Sequence, residues 1–68
     1  MLRISLKAAR INSNLPQKVA AQKLGVSNRT LGNWENGKSV VPADKIDAIC
    51  ALYKLNYDNL IFLPKRSL

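Results

Sequence analysis

Two short apolar runs, separated by Gly25-Val26-Ser27, constrain this chain more than any other feature. Between Pro16 and Gly37 the apolar residues fall at Ala20, Ala21 and Leu24, then Val26, then Leu31 and Trp34. That spacing gives each run one buried helical stripe, with Val26 filling the angle between two short helices. Gly25 follows the last apolar residue of the first run, where a chain leaving a helix needs a residue that tolerates positive φ. Ser27 then stands at a helix N-cap, its hydroxyl able to accept from the amide of Thr30. Outside the stripe, the second helix carries Asn28, Arg29, Thr30 and Asn33, a set that can hydrogen-bond base edges and phosphates.

Several of these residues resemble a known family. Gln17, the pair Ala20-Ala21, Leu24-Gly25-Val26-Ser27, Thr30 and the run Trp34-Glu35-Asn36-Gly37-Lys38 are similar to the helix-turn-helix of the phage Cro/repressor (XRE-type) DNA-binding domains. The resemblance runs from Leu6 to about Leu63 and rests most heavily on the Trp-Glu-Asn-Gly-Lys run. It implies an all-α fold, a compact five-helix lambda-repressor-like domain spanning 1–68, with the helix-turn-helix at about 17–36.

A chain of 68 residues buries only roughly 60% of its unfolded surface, so its core must be compact and helical. Eleven basic residues against four acidic ones give a net charge of +7, which favours a polyanionic partner: nucleic acid first, an anionic membrane second. The excess is uneven. Through Ala43, Arg3, Lys7, Arg10, Lys18, Lys23, Arg29 and Lys38 stand against Glu35 alone, a balance of +6. From Asp44 onward, Lys45, Lys54, Lys65 and Arg66 face Asp44, Asp47 and Asp58, leaving +1. The single Cys50 cannot form an internal disulfide, and Arg3 and Lys7 interrupt any apolar run at the start of the chain; both point to a cytoplasmic protein.

The rest of the chain reads as helices around that pair. A first helix is expected from about Ser5 to Asn12, with Leu6, Ala9 and Ser13 on one side and Arg10 beside them. Met1 to Ile4 form a loosely packed lead-in. Asn14 takes a positive-φ exit, which asparagine tolerates better than most residues. Pro16 suits a helix start but withdraws the side-chain acceptor that the family has there, at a cost of about 1 kcal/mol. Asn36-Gly37 stops the third helix, and Lys38 to Pro42 form a loop. Ile46, Ile49, Cys50 and Tyr53 carry the stripe of a fourth helix, with Asp44 and Asp47 near its positive N-terminus. Leu55 fills the next turn. Asn56 caps a short fifth helix over Tyr57 to Phe62 with Leu60 inward, and residues 64–68 form a flexible basic tail.

Arginine suits the acceptor pair of guanine and asparagine the acceptor and donor of adenine, so Asn28, Arg29 and Asn33 are the base readers that the resemblance implies. It also implies phosphate contacts from Gln17, Ser27, Thr30, Asn36 and Lys38, with the Gln17 side chain either bracing the helix interface or reaching the first base reader. Arg10 and Glu35 match positions where the family has a structural ion pair. Trp34, Cys50, Tyr53 and Tyr57 read as core or core edge. Val40, Val41 and Phe62 are the candidates for a dimer contact, the alternative being that the two valines cover the fourth helix.

Enzymatic chemistry finds no support. The chain has no histidine, its carboxylates are scattered, and it has no Gly-rich phosphate loop, so no catalytic set, metal site or cofactor is implied. The expected function is a sequence-specific transcriptional regulator from a phage or other mobile element, bound to an inverted-repeat operator in double-stranded DNA as a homodimer. An antitoxin-like module that holds a protein partner and autoregulates through DNA is the alternative. Membrane binding is disfavoured because Leu6 and Ala9 are needed in the core.

Overall fold

The computed structural model describes residues 3–62, in the order β1 (Ile4–Ser5), α1 (Leu6–Asn12), α2 (Gln17–Leu24), α3 (Asn28–Glu35), α4 (Ala43–Tyr53), a 3-10 turn (Tyr57–Asn59) and β2 (Leu60–Ile61). The starts of α1 and α3 are capped by serine: Ser5 Oγ accepts from the amide of Ala8 and Ser27 Oγ from the amide of Thr30, both at 3.1 Å. Pro16 and Pro42 occupy the same position on α2 and α4 with no side-chain cap bond. Pro16 therefore stands at the cap itself, with ψ of 151°, and its carbonyl accepts the first helical bond, from Ala20.

All four described helices end alike. Asn14, Gly25, Gly37 and Lys54 each adopt positive φ, between 57° and 75°. The next residue then turns its amide back onto a carbonyl of the last turn: Leu15 to Arg10, Val26 to Ala21, Lys38 to Asn33 and Leu55 to Cys50. This left-handed exit satisfies carbonyls that a helix end otherwise leaves open. Leu15, Val26 and Leu55, the residues after three of the exits, pack against the core. On α2, Lys45 Nζ of α4 adds a charged donor to the carbonyl of Leu24, at 2.9 Å.

The buried core comprises Leu6 and Ala9 of α1, Ala20, Ala21 and Leu24 of α2, Leu31 and Trp34 of α3, Val41, Ile49 and Tyr53 around α4, and Leu60. The α4 stripe splits: Ile49 and Tyr53 are buried, while Ile46 and Cys50 pack against the core from its margin.

Three expectations need correction. Tyr57 to Phe62 do not form a fifth helix. Asn56 and Asn59 close a capping box on one 3-10 turn, after which Leu60–Ile61 runs as a strand parallel to Ile4–Ser5, Ile4 opposite Leu60 and Ser5 opposite Ile61. Leu60-Ile61-Phe62 is a continuous apolar run with no helical period, and strand pairing buries Leu60 while satisfying its backbone. The lead-in is accordingly not loose at Ile4, which pairs in that strand and packs on the core. Tyr57 lies at the surface, 58% exposed, and stacks on Phe62 with ring centroids 5.2 Å apart. The expected tail over 64–68 lies outside the described residues.

Lysine in the left-handed region carries a steric cost that glycine avoids, about 1 kcal/mol or more. Lys54→Gly is therefore expected to stabilise the fold by about 0.5–1 kcal/mol and Gly25→Ala to destabilise it by about 1 kcal/mol, read from urea denaturation midpoints. A Cβ at Gly25 meets only Lys45 Nζ, at 3.6 Å, so the loss there reports backbone strain rather than a clash.

Candidate nucleic-acid interface

The open side of α3 is defined by what the helix buries. Leu31 and Trp34 face the core, leaving Asn28 and Arg29 exposed and Asn33 half-buried on the other side. Among the described residues, the side chains of Asn28, Arg29 and Asn33 have no hydrogen-bond or ion-pair partner. Their amides and guanidinium are open to an outside ligand.

At the margin of that side stands a buried polar cluster. Arg10 Nε donates to Glu35 Oε2 at 2.7 Å, Arg10 Nη2 to Glu35 Oε1 at 3.4 Å, and Arg10 Nη1 to the carbonyl of Leu15 at 3.0 Å. Gln17 Nε2 donates to Glu35 Oε1 at 3.0 Å. The two charged side chains are 10% and 3% exposed, so the pair is desolvated yet densely hydrogen-bonded. It joins α1, the entry to α2 and the end of α3. Of the two roles open to the Gln17 side chain, the geometry has it bracing the interface through Glu35.

The other sequence-singled residues fall around the same edge. Ser27 and Thr30 are occupied with each other: Ser27 Oγ accepts from the Thr30 amide and donates to Thr30 Oγ1 at 2.9 Å. Asn36 and Lys38 are exposed just past the end of α3. Arg3, Lys7, Lys18, Lys23, Arg29 and Lys38 are all exposed, so Arg10 is the one cation before Ala43 that is withdrawn from the surface among the described residues. The valines separate: Val41 is in the core, whereas Val40 is 65% exposed. Phe62 is half-buried under Tyr57.

Burial controls the remaining titratable groups. The Cys50 thiol is pushed up by desolvation first and by Asp47 second, which disfavours the nucleophilic thiolate. Tyr53 is pushed up to about 12, by desolvation first and the Glu35 carboxylate second, with Arg10 opposing. Its hydroxyl is buried with no partner among the described residues. Lys45 is the positional residue that sequence reading missed. Its partner carbonyl is 21 positions away, and nothing in the local pattern of α4 marks that contact.

Comparison with known proteins gives two matches. A family model described as helix-turn-helix matches residues 6–60. The protein named antitoxin PezA from Streptococcus pneumoniae serotype 4 is 31% identical over 61 residues, which cover 90% of this chain and 39% of that protein. The chain thus spans about two fifths of the length of that curated relative. No solved structure gives a significant match. No helix among the described residues is long and apolar enough to cross a membrane.

Two outcomes follow from the cluster. Arg10→Leu and Glu35→Leu are each expected to cost about 3–5 kcal/mol, and the double variant clearly less than their sum, because each single change strands a buried charge. Chemical denaturation of the four proteins in the cycle measures this; strict additivity refutes the coupling. Tyr53 holds its proton more tightly folded than unfolded. Its contribution is therefore complete below the ordinary tyrosine value of 10 and is lost as pH rises toward about 12. Stability should fall across that window, and Tyr53→Phe should flatten the fall and leave stability at pH 8 unchanged or raised, as denaturation midpoints between pH 8 and 11.5 will show.

Proposed function

This chain belongs to the Cro/repressor (XRE-type) helix-turn-helix DNA-binding family, and on that premise we propose that it is a sequence-specific transcriptional regulator reading the major groove through α3. The observation that carries the proposal is the set of unpartnered side chains at Asn28, Arg29 and Asn33 on a helix whose opposite side is fixed in the core. A helix entering the major groove offers its N-terminal residues to base edges. Arg29 pairs with guanine there, and Asn28 and Asn33 with adenine.

Around these readers, Gln17, Ser27, Thr30, Asn36 and Lys38 take phosphates through backbone amides and polar side chains, setting register without carrying sequence information. The exposed cations of the first half of the chain supply the attractive field. Two copies bind an inverted repeat, their recognition helices about one duplex turn, roughly 34 Å, apart. The loop with exposed Val40 and the surface near Phe62 furnish the contact between copies. The regulator works in the cytoplasm, for a phage or other mobile element.

A second reading has support of its own. The 31% identity to a protein named as an antitoxin favours a domain that also holds a protein partner and regulates its own synthesis through DNA. A stoichiometric partner protein co-purifying with the chain distinguishes this reading from a self-sufficient regulator.

Selection from a random duplex pool, followed by titration of the selected duplex at several salt concentrations, tests the main proposal. Arg29→Ala and Asn33→Ala should each lose about 1–3 kcal/mol on the selected duplex and little on random DNA. Lys38→Ala should weaken all duplexes alike and reduce the salt slope by about 1. Equal losses on both duplexes for Arg29→Ala would overturn the assigned roles.

A further inference from the structure

One residue on the reading side of α3 has no explanation inside the protein. Gly32 lies within an eight-residue helix and is not among the residues of positive φ, so its backbone does not require glycine. Packing does not require it either. A Cβ placed there would meet Gln17 Nε2 at 3.5 Å and Gln17 Cδ and Oε1 at 3.9 Å, ordinary van der Waals distances. Glycine in a helix interior is among the least favourable choices, second only to proline. The chain therefore carries a helix-weakening residue at a position where the fold would accept alanine.

Its direction supplies a reason. At about 100° of rotation per residue, Gly32 lies about 40° from Asn28, with Arg29 at about 100° and Asn33 at about 140°. Leu31 and Trp34 fall on the far side, at about 300° and 240°. Gly32 thus sits inside the arc of the three unpartnered side chains. Two of those three are asparagines, whose amide is carried on a single methylene and reaches only a short way from the helix. A helix that reads bases with asparagine must bring its backbone close to the groove floor, and a methyl group standing between the readers obstructs that approach.

We infer that Gly32 is a specificity-determining position, its missing side chain letting α3 lie deep enough in the major groove for Asn28 and Asn33 to reach base edges. The inference rests on the proposed reading of α3 as the recognition helix. It makes Gly32 a site of close approach to the duplex, maintained at the expense of helix stability.

Gly32→Ala tests it, because the two consequences have opposite signs. The melting temperature should rise, by about 3–8 °C. Affinity for a duplex selected by the unaltered chain should fall about tenfold or more, while affinity for random duplex stays within about twofold. A variant that melts higher and keeps its full preference for the selected duplex overturns the inference alone. A variant that melts lower shows that glycine serves the fold and overturns it too. An unaltered chain that selects no duplex overturns the reading of α3, and this inference with it.

Discussion

The buried pairing of Arg10 with Glu35 is the constraint on which the arrangement of helices depends. Glu35 closes α3, and its carboxylate accepts from Arg10 on α1 and from Gln17 at the start of α2. The remaining Arg10 nitrogen donates to the Leu15 carbonyl, so the connection between α1 and α2 is held as well. Apolar packing among small residues such as Ala9, Ala20 and Ala21 fixes distance but has little direction. A fork of hydrogen bonds on a desolvated charge has a great deal, because any rotation of α3 against α1 breaks bonds that water cannot replace. Orientation of α3 is thus assigned to electrostatics and its depth in the core to Leu31 and Trp34.

That division suits helices this short. The four described helices run from 7 to 11 residues, below the length at which an isolated helix persists in water. Each is held by its ends as much as by its stripe. The left-handed exits at Asn14, Gly25, Gly37 and Lys54 satisfy carbonyls and turn the chain sharply, while Leu15, Val26 and Leu55, partly buried, pack against the core immediately after. Lys45 reinforces the one junction whose angle sets the helix-turn-helix, by donating to the last carbonyl of α2 from the opposite wall.

The parts of this fold legible in the sequence are those governed by neighbours a few positions apart. Gly25 and Ser27 bracket the turn, Asn14 and Gly37 mark exits, and the spacing of Ile46, Ile49 and Tyr53 gives α4, since in each case the residue type answers a local need. Lys54 does the same work as the glycines and was illegible, because a lysine gives no hint that the packing around Leu55 will force it into the left-handed region. The strand pairing of Ile4–Ser5 with Leu60–Ile61 joins the two ends of the described chain, and two-residue strands leave no alternation to read. Val40 and Val41 are adjacent and alike in chemistry, so only the path of the loop separates the exposed one from the buried one. At the candidate interface, residue types pointed to the open polar side of α3. They could not say that Gln17 would turn inward to Glu35, a choice made by a carboxylate 18 positions away.

Leaving Asn28, Arg29 and Asn33 unpartnered costs the free protein little, because water satisfies them. On the proposed reading of α3 as the helix that enters the groove, their value in discrimination comes from losing that water. Once α3 enters a groove, an amide facing the wrong base edge is buried without a partner, a penalty of about 1–3 kcal/mol, whereas the right edge merely replaces the hydrogen bonds that water supplied. Selectivity of this kind grows with how completely the readers are desolvated, and hence with how closely and rigidly the helix is held against the bases. On that reading the buried ion pair and the missing side chain at Gly32 serve one end: the first keeps the helix from rotating away from a mismatch, and the second removes the atoms that would hold it at a distance where mismatches go unpunished.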